Sequence, residues 1–123
     1  TMRIDINGEL GVGVSAKDII LHLCGRIGMG GAEYQVVEYT GDTVAGLSMT
    51  ERMTLSNMAA ELGAQAGLIA PDQTTADYIR AAGGNPGDLA QWQGDEDANY
   101  ITTHSVDAES LAPYVAAPHS PAN

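Results

Sequence analysis

The sequence predicts an α/β fold: a small, mostly parallel sheet, in two or three layers, covered by helices. Three observations carry that prediction. Short runs rich in β-branched residues alternate along the chain with stretches of helical period, the order that favours parallel pairing. Val36 and Val37 adjoin, as in a strand buried on both faces. Aromatic residues are scarce, with one Trp, five Tyr and no Phe in 123 residues, so the core is built from Ala, Val, Ile, Leu and Met. With 44% hydrophobic residues, residues 1–123 suffice for a single domain around one core.

The elements follow in order. In MRIDINGEL (2–10), Met2, Ile4 and Ile6 alternate with Arg3, Asp5 and Asn7, a strand with one wet face. Asn7-Gly8 is a turn signal, and the direction of this strand, parallel or antiparallel, stays open. Gly11 and Gly13 come next, but no third glycine and no Gly-Lys-Ser/Thr follows, so neither phosphate-binding motif is matched. A helix is expected over 15–28, capped by Ser15 with Asp18 in its first turn. Ala16, Ile19, Ile20, Leu23, Cys24 and Ile27 form its buried stripe. His22 lies off that stripe, four residues after Asp18, and reads as half of a surface pair. Gly25, Gly28, Gly30 and Gly31 end the helix in a flexible connection, with backbone contact to other domains as the functional alternative.

EYQVVEYTG (33–41) is a strand. Asp42 and Thr43 cap a short helical turn, Val44 to Leu47. The longest helix is expected over 48–66, opened by a capping box of Ser48 and Glu51 and stopped by Gly67. LIA (68–70) then reads as a short buried strand. Asp72 or Thr74 caps a further helix, about 75–82, closed by Gly83 and Gly84. Residues 83–99 read as loop, with Trp92 docked on the domain. The acidic run Asp95, Glu96 and Asp97 lacks the ligand spacing of a calcium loop and reads as a solvated turn. YITTHSV (100–106) is a strand in which His104 has no assigned role. The three prolines of 113–123 mark an extended exit segment.

Charge narrows the function. The net charge is −11, and only Arg3, Lys17, Arg26, Arg52 and Arg80 are positive. A nucleic-acid backbone needs clustered cations, and an anionic membrane surface does too, so neither is an expected partner. No apolar run approaches the length of a membrane span and no signal peptide is apparent, which points to the cytoplasm. A single Cys rules out an internal disulfide framework. Cys24 reads as a small buried side chain.

The helix 48–66 has an unusual distribution. Thr50, Thr54, Asn57, Glu61 and Gln65 recur at steps of four, three, four and four, a polar stripe about 80° wide. The rest of the circumference is mostly apolar or small, so the helix is expected to be nearly buried with one polar seam. A thin solvent-facing strip is the plain explanation. A functional one sets Asn57 and Glu61, a turn apart, in the wall of a site, where a carboxylate carries protons and an amide orients a ligand.

Three stretches carry a family resemblance: AKDIILHLCGRIG (16–28), VVEYTGDTVAGLSMTERMTLSNMAAELGAQAGLIAPDQTT (36–75) and, more weakly, the tail around Pro113 to Pro121. They resemble the aconitase family of iron–sulfur hydro-lyases, in its branch of 3-isopropylmalate dehydratase and homoaconitase large subunits, enzymes of amino-acid biosynthesis, leucine among them. The resemblance implies one subdomain of a larger protein that isomerises a small hydroxy di- or tricarboxylic acid by removing and re-adding water. It implies a 4Fe–4S cluster acting as Lewis acid on the substrate hydroxyl. The family's Asn-x-x-x-Glu falls on Asn57 and Glu61: the amide lies beside the cluster and the glutamate bonds the hydroxyl or water on iron. The implied partners are the remaining domains of the large chain and a small subunit carrying specificity residues. The family's cluster cysteines, substrate-holding arginines and Asp-Ser-His type base region have no counterpart here, so the isolated chain is expected to be inactive and free of cluster. Two other classes stand beside this one: a non-catalytic scaffold that keeps the fold, and a small acidic enzyme pairing Glu61 with His22 or His104.

Overall fold

Alternating Met2, Ile4 and Ile6 make strand β1 (Met2–Asn7), and all three are almost wholly buried. The computed structural model describes residues 1–123. After β1 come helix α1 (Ala16–Ile27), strand β2 (Val36–Thr40) and a short helix α2 (Asp42–Gly46). Helix α3 (Met49–Met58) runs into a 3₁₀ turn, Ala59–Leu62, and then strand β3 (Ala66–Leu68). Helix α4 (Gln73–Ala81), a 3₁₀ turn at Leu89–Trp92 and strand β4 (Thr102–Asp107) follow. The sheet order is β3-β2-β1-β4. Every pairing is parallel, β1 included, with Ile4 opposite Tyr39 on one side and His104 on the other. The direction of β1, open in the sequence, is thus parallel to both neighbours. No helix is long and apolar enough to cross a membrane.

The two faces of the sheet differ. On one, Ile4, Ile6, Val37 and Tyr39 meet Ile19, Ile20, Leu23 and Cys24 of α1 and Leu55 of α3, all wholly or almost wholly buried. Each large apolar side chain placed there contributes roughly 1.5–3 kcal/mol. The other face is polar. Arg3 Nε donates to Thr40 Oγ1, and the Thr40 hydroxyl donates to Asp5, both at 3.0 Å. Tyr100 donates to Glu38 at 2.8 Å, under the Arg3 guanidinium.

The long helix expected over 48–66 is shorter and less buried. Ser48 and Glu51 do form the capping box, but the α-helix ends at Met58. The stop is Gly63, left-handed at φ 74°, and not Gly67. The backbone amide of Gln65 bonds Gln35 O at 2.9 Å, so pairing with β2 claims the chain before another helical turn forms. Gly67 serves packing instead, since a Cβ there would lie 2.8 Å from Ala59 Cβ and 3.0 Å from Ser56 Cα. Only glycine lets strand and helix approach so closely. The strand is Ala66–Leu68, not 68–70, and as the sheet's edge it is exposed, with Leu68 54% accessible. Only Arg52 and Leu55 of α3 are buried, joined by Ala59 and Leu62 of the turn, while Met53 is 44% exposed. Trp92, expected to dock, is 68% exposed. Helix α4 starts at Gln73, two residues earlier than expected, because Asp72 accepts from Thr75 N and caps it.

What holds α3 in place has no signature in the local sequence pattern. Arg52 is 3% exposed. Its Nη1 and Nη2 donate to the two oxygens of Asp72, each at 2.7 Å. Its Nε donates to Leu47 O at 3.0 Å and Nη2 also to Ala45 O at 2.7 Å. One guanidinium therefore joins the end of α2, the first turn of α3 and the cap of α4. The Arg52 hydrogen bonds hold the Asp72 carboxyl below the usual carboxylate range, against the opposing effect of its partial burial. A carboxyl lowered by folding stabilises the fold above its unfolded value, about pH 4, and that contribution is lost as pH falls further. Arg52→Ala removes the donor to two carbonyls and to Asp72, whose carboxylate stays 39% exposed to water, and is expected to cost about 1–3 kcal/mol in urea unfolding. On acid titration below about pH 4, the parent's melting temperature should fall more steeply than that of Asp72→Asn, which has no carboxylate to protonate there.

Candidate active site at the end of helix α3

The seam residues do not form one continuous helical stripe. Thr50, Thr54 and Asn57 lie on α3, Glu61 on the 3₁₀ turn and Gln65 just before β3. Thr54 donates its hydroxyl to Thr50 O at 3.1 Å within its own helix. Tightening from 3.6 to about 3.0 residues per turn rotates Glu61 roughly 60° from the line it would keep in an α-helix. Asn57 and Glu61 share the end of one rod without being stacked. Asn57 is exposed and Glu61 half-buried. Neither side chain has a hydrogen bond within the domain, and no ion pair includes Glu61.

Glu61 stands over Cys24. The Cys24 thiol, fully buried on α1, points at Glu61 O at 3.8 Å. Burial pushes the thiol up, and the negative charge of Glu61 pushes it further. The arginines are engaged elsewhere: Arg52 with Asp72, Arg80 with Asp77, Arg3 beside Asp5, and Arg26 with Ser105 O at 2.8 Å. The exit segment is tied to α1. Tyr114 N–H donates to Asp18 at 2.7 Å, and Asp18 also accepts from Ser15 N and Oγ. Burial alone would raise the Asp18 carboxyl, but these donors outweigh it and bring it below the usual range.

His22 does not pair with Asp18. Its Nδ1 lies 3.1 Å from the Tyr114 hydroxyl, and burial, then the charge of Arg26, lowers its pKa. His104 is on β4, at the sheet edge opposite β3. Neither imidazole is hydrogen-bonded to Glu61, so the pairing that a small acidic enzyme needs is not formed. The two largest clefts, of about 470 and 330 Å³, are lined by Gly8, Glu9, Asp42 and Thr43 and by Glu38, Leu68, Pro71 and Trp92. Asn57 and Glu61 line neither of them.

An iron–sulfur cluster does not fit these residues. It needs several exposed thiolates, whereas the one cysteine is buried, raised in pKa and turned toward a carbonyl. No group of three or more His, Cys, Asp or Glu is placed to hold a metal ion. What the end of α3 offers is one carboxylate and one amide, both open to a ligand. The thiol should accordingly be inert: in native protein at pH 8, Cys24 is expected to react with a disulfide reagent at least about 10²-fold more slowly than in urea. Equal rates would place it at the surface.

A sequence model of the Aconitase family (aconitate hydratase) matches residues 1–123. The chain is 44% identical over 117 residues to a protein of Methanothermobacter thermautotrophicus named probable methanogen homoaconitase large subunit, covering 95% of this chain and 27% of that protein. It is 42% identical over 120 residues to the probable 3-isopropylmalate dehydratase large subunit of the same organism, covering 98% and 28%. It is 42% identical over 123 residues to 3-isopropylmalate dehydratase large subunit 1 of Methanopyrus kandleri, covering 100% and 29%. The chain thus spans a little over a quarter of the length of these relatives.

Proposed function

Because the chain belongs to the aconitase family, we propose that it is one α/β part of a hydro-lyase large subunit. The substrate class is a small hydroxy di- or tricarboxylic acid of the 3-isopropylmalate or homocitrate/homoaconitate kind. The names of its relatives support this class. The observation that carries the reading is the pair at the end of α3. Neither side chain has a hydrogen-bond partner within the domain, and by the resemblance Asn57 and Glu61 correspond to the family's Asn-x-x-x-Glu.

Dehydration moves a hydroxyl group and a proton, and each needs a positioned acid or base. Glu61 supplies a carboxylate on a turn fixed by Gly63 and by the amides that bond to Leu62 O and Gly63 O. In its protonated form Glu61 gives a proton to the departing hydroxyl, and the carboxylate so formed takes one back from the returning water. The Asn57 amide donates to a substrate oxygen and accepts from a hydroxyl, which fixes the face presented to Glu61. The family's iron–sulfur cluster, held by cysteines outside these residues, would supply the Lewis acid. With five cations among 123 residues, the charges that hold substrate carboxylates come from the remaining domains of the large chain and from a small subunit. The isolated chain is inactive on this reading, and the assembled enzyme works in the cytoplasm.

In the assembled enzyme, Glu61→Gln is expected to lower kcat about 10²-fold or more with KM changed little, as for loss of a proton-transfer group. A near-normal rate would remove Glu61 from the mechanism.

A further inference from the structure

The sheet is packed on one face only. All-parallel sheets occur with both faces covered. Here α1 and α3 cover the face of Ile4, Ile6, Val37 and Tyr39. On the opposite face Arg3, Asp5, Glu38 and Thr40 are half-buried, and Leu68 and Thr103 are exposed. That face ends at β3, whose outer edge pairs with no further strand.

The cleft of about 330 Å³ lined by Glu38, Leu68, Pro71 and Trp92 opens beside it. Its wall is anchored. The Gln93 side chain donates to Pro71 O, which ties the turn Leu89–Trp92 to the chain leaving β3. Asp88 caps the same turn by accepting from Ala90 N at 3.0 Å. The indole so held is still 68% exposed. Glu38 gives one oxygen to the Tyr100 hydroxyl. Its other oxygen, Oε1, receives no donor and faces Gly94, where an added Cβ would lie 3.6 Å away. A fixed indole beside a carboxylate oxygen suits a cation, which the ring face attracts and the carboxylate neutralises. These residues have no cation free to fill it. Arg3 lies beside Asp5 and over the Tyr100 ring, and Arg26, Arg52 and Arg80 are bound elsewhere. Lys17 is on α1, across the sheet.

We propose that this face is a docking surface for the rest of the large chain, which seats a basic side chain against Trp92 and Glu38 and apolar side chains on Leu68. The inference rests on the reading above, that the chain is one part of a hydro-lyase large subunit. Residues 1–123 span 29% of the Methanopyrus kandleri relative, so the larger part of such a chain is left to cover the face. A covalently linked segment also reaches it at a higher effective concentration than a separate molecule does. A second copy is a poor occupant, because it would bring together two domains of net charge −11.

The test uses the assembled enzyme, large chain and small subunit together. Hydroxyl-radical footprinting reads the indole with no substitution. Trp92 in the native enzyme should be oxidised at least about fivefold more slowly than in urea, where a ring as open as this one would differ by less than about twofold. Trp92→p-benzoylphenylalanine then identifies what covers the face. Irradiation should join it to the large chain outside residues 1–123, at or beside an Arg or Lys. In that background Glu38→Lys sets a like charge against the incoming cation and should cut the yield about tenfold. Attachment to the small subunit, to a second copy or only within residues 1–123 would overturn the proposal. So would native oxidation at the unfolded rate, or a yield indifferent to Glu38→Lys. Activity decides the underlying reading separately. An assembly that turns over neither 3-isopropylmalate nor homoaconitate, yet gives the expected cross-link, loses the hydro-lyase reading and keeps the docked face.

Discussion

A buried guanidinium sets the geometry of this domain. Arg52 is removed from water and answered by a two-pronged carboxylate and two carbonyls. A buried charge is tolerated only when so fully paired. The partners come from the end of α2, the loop before α3 and the cap of α4, so one side chain fixes where α3 lies over the sheet. Everything at the far end of that helix inherits its position: Asn57, the 3₁₀ turn with Glu61, and the left-handed Gly63 that returns the chain to the sheet edge. The pairing also draws a cation out of any role with substrate.

The parallel sheet is legible in the sequence because local signals and tertiary demand agree. Met2, Ile4 and Ile6 alternate and are buried together, and the α1 stripe from Ala16 to Cys24 meets them. The capping box at Ser48 and Glu51 also stands where its spacing puts it. The end of the same helix is not legible. Alanine, leucine and glutamine favour helix beyond Met58, yet β2 needs an edge partner, and Gln65 bonds Gln35 O instead of continuing the turn. Gly67 has the look of a stop because glycine so often ends a helix. Its real reason is the closeness of strand and helix, which no local pattern reveals. Arg52 is equally hard to place from sequence, because its carboxylate is twenty residues away along the chain. Glu33 and Tyr34 both adopt positive φ, which neither residue type favours, so only the glycines before them mark the turn.

The end of α3 joins two opposite environments. Beneath it, Cys24 is sealed in the core, its thiol pushed up by burial and by Glu61. Above it, Asn57 is exposed and Glu61 half-open, with no partner from the domain itself. A carboxylate that the domain needed for stability would be paired, as Asp72 and Asp18 are. Under the proposed function this chain would supply the acid–base and orienting groups, and the cations and thiolates would come from outside these residues.

The decisive measurement is a structure of the assembled enzyme with a hydroxy-acid substrate or its unreactive analogue bound. The Glu61 carboxylate should lie within hydrogen-bond reach, about 2.6–3.2 Å, of the oxygen at the reacting carbon, with the Asn57 amide on the same ligand. A ligand bound at another face of this domain, with both side chains in bulk water and more than about two hydrogen-bond lengths away, would contradict the assignment of the site to the end of α3.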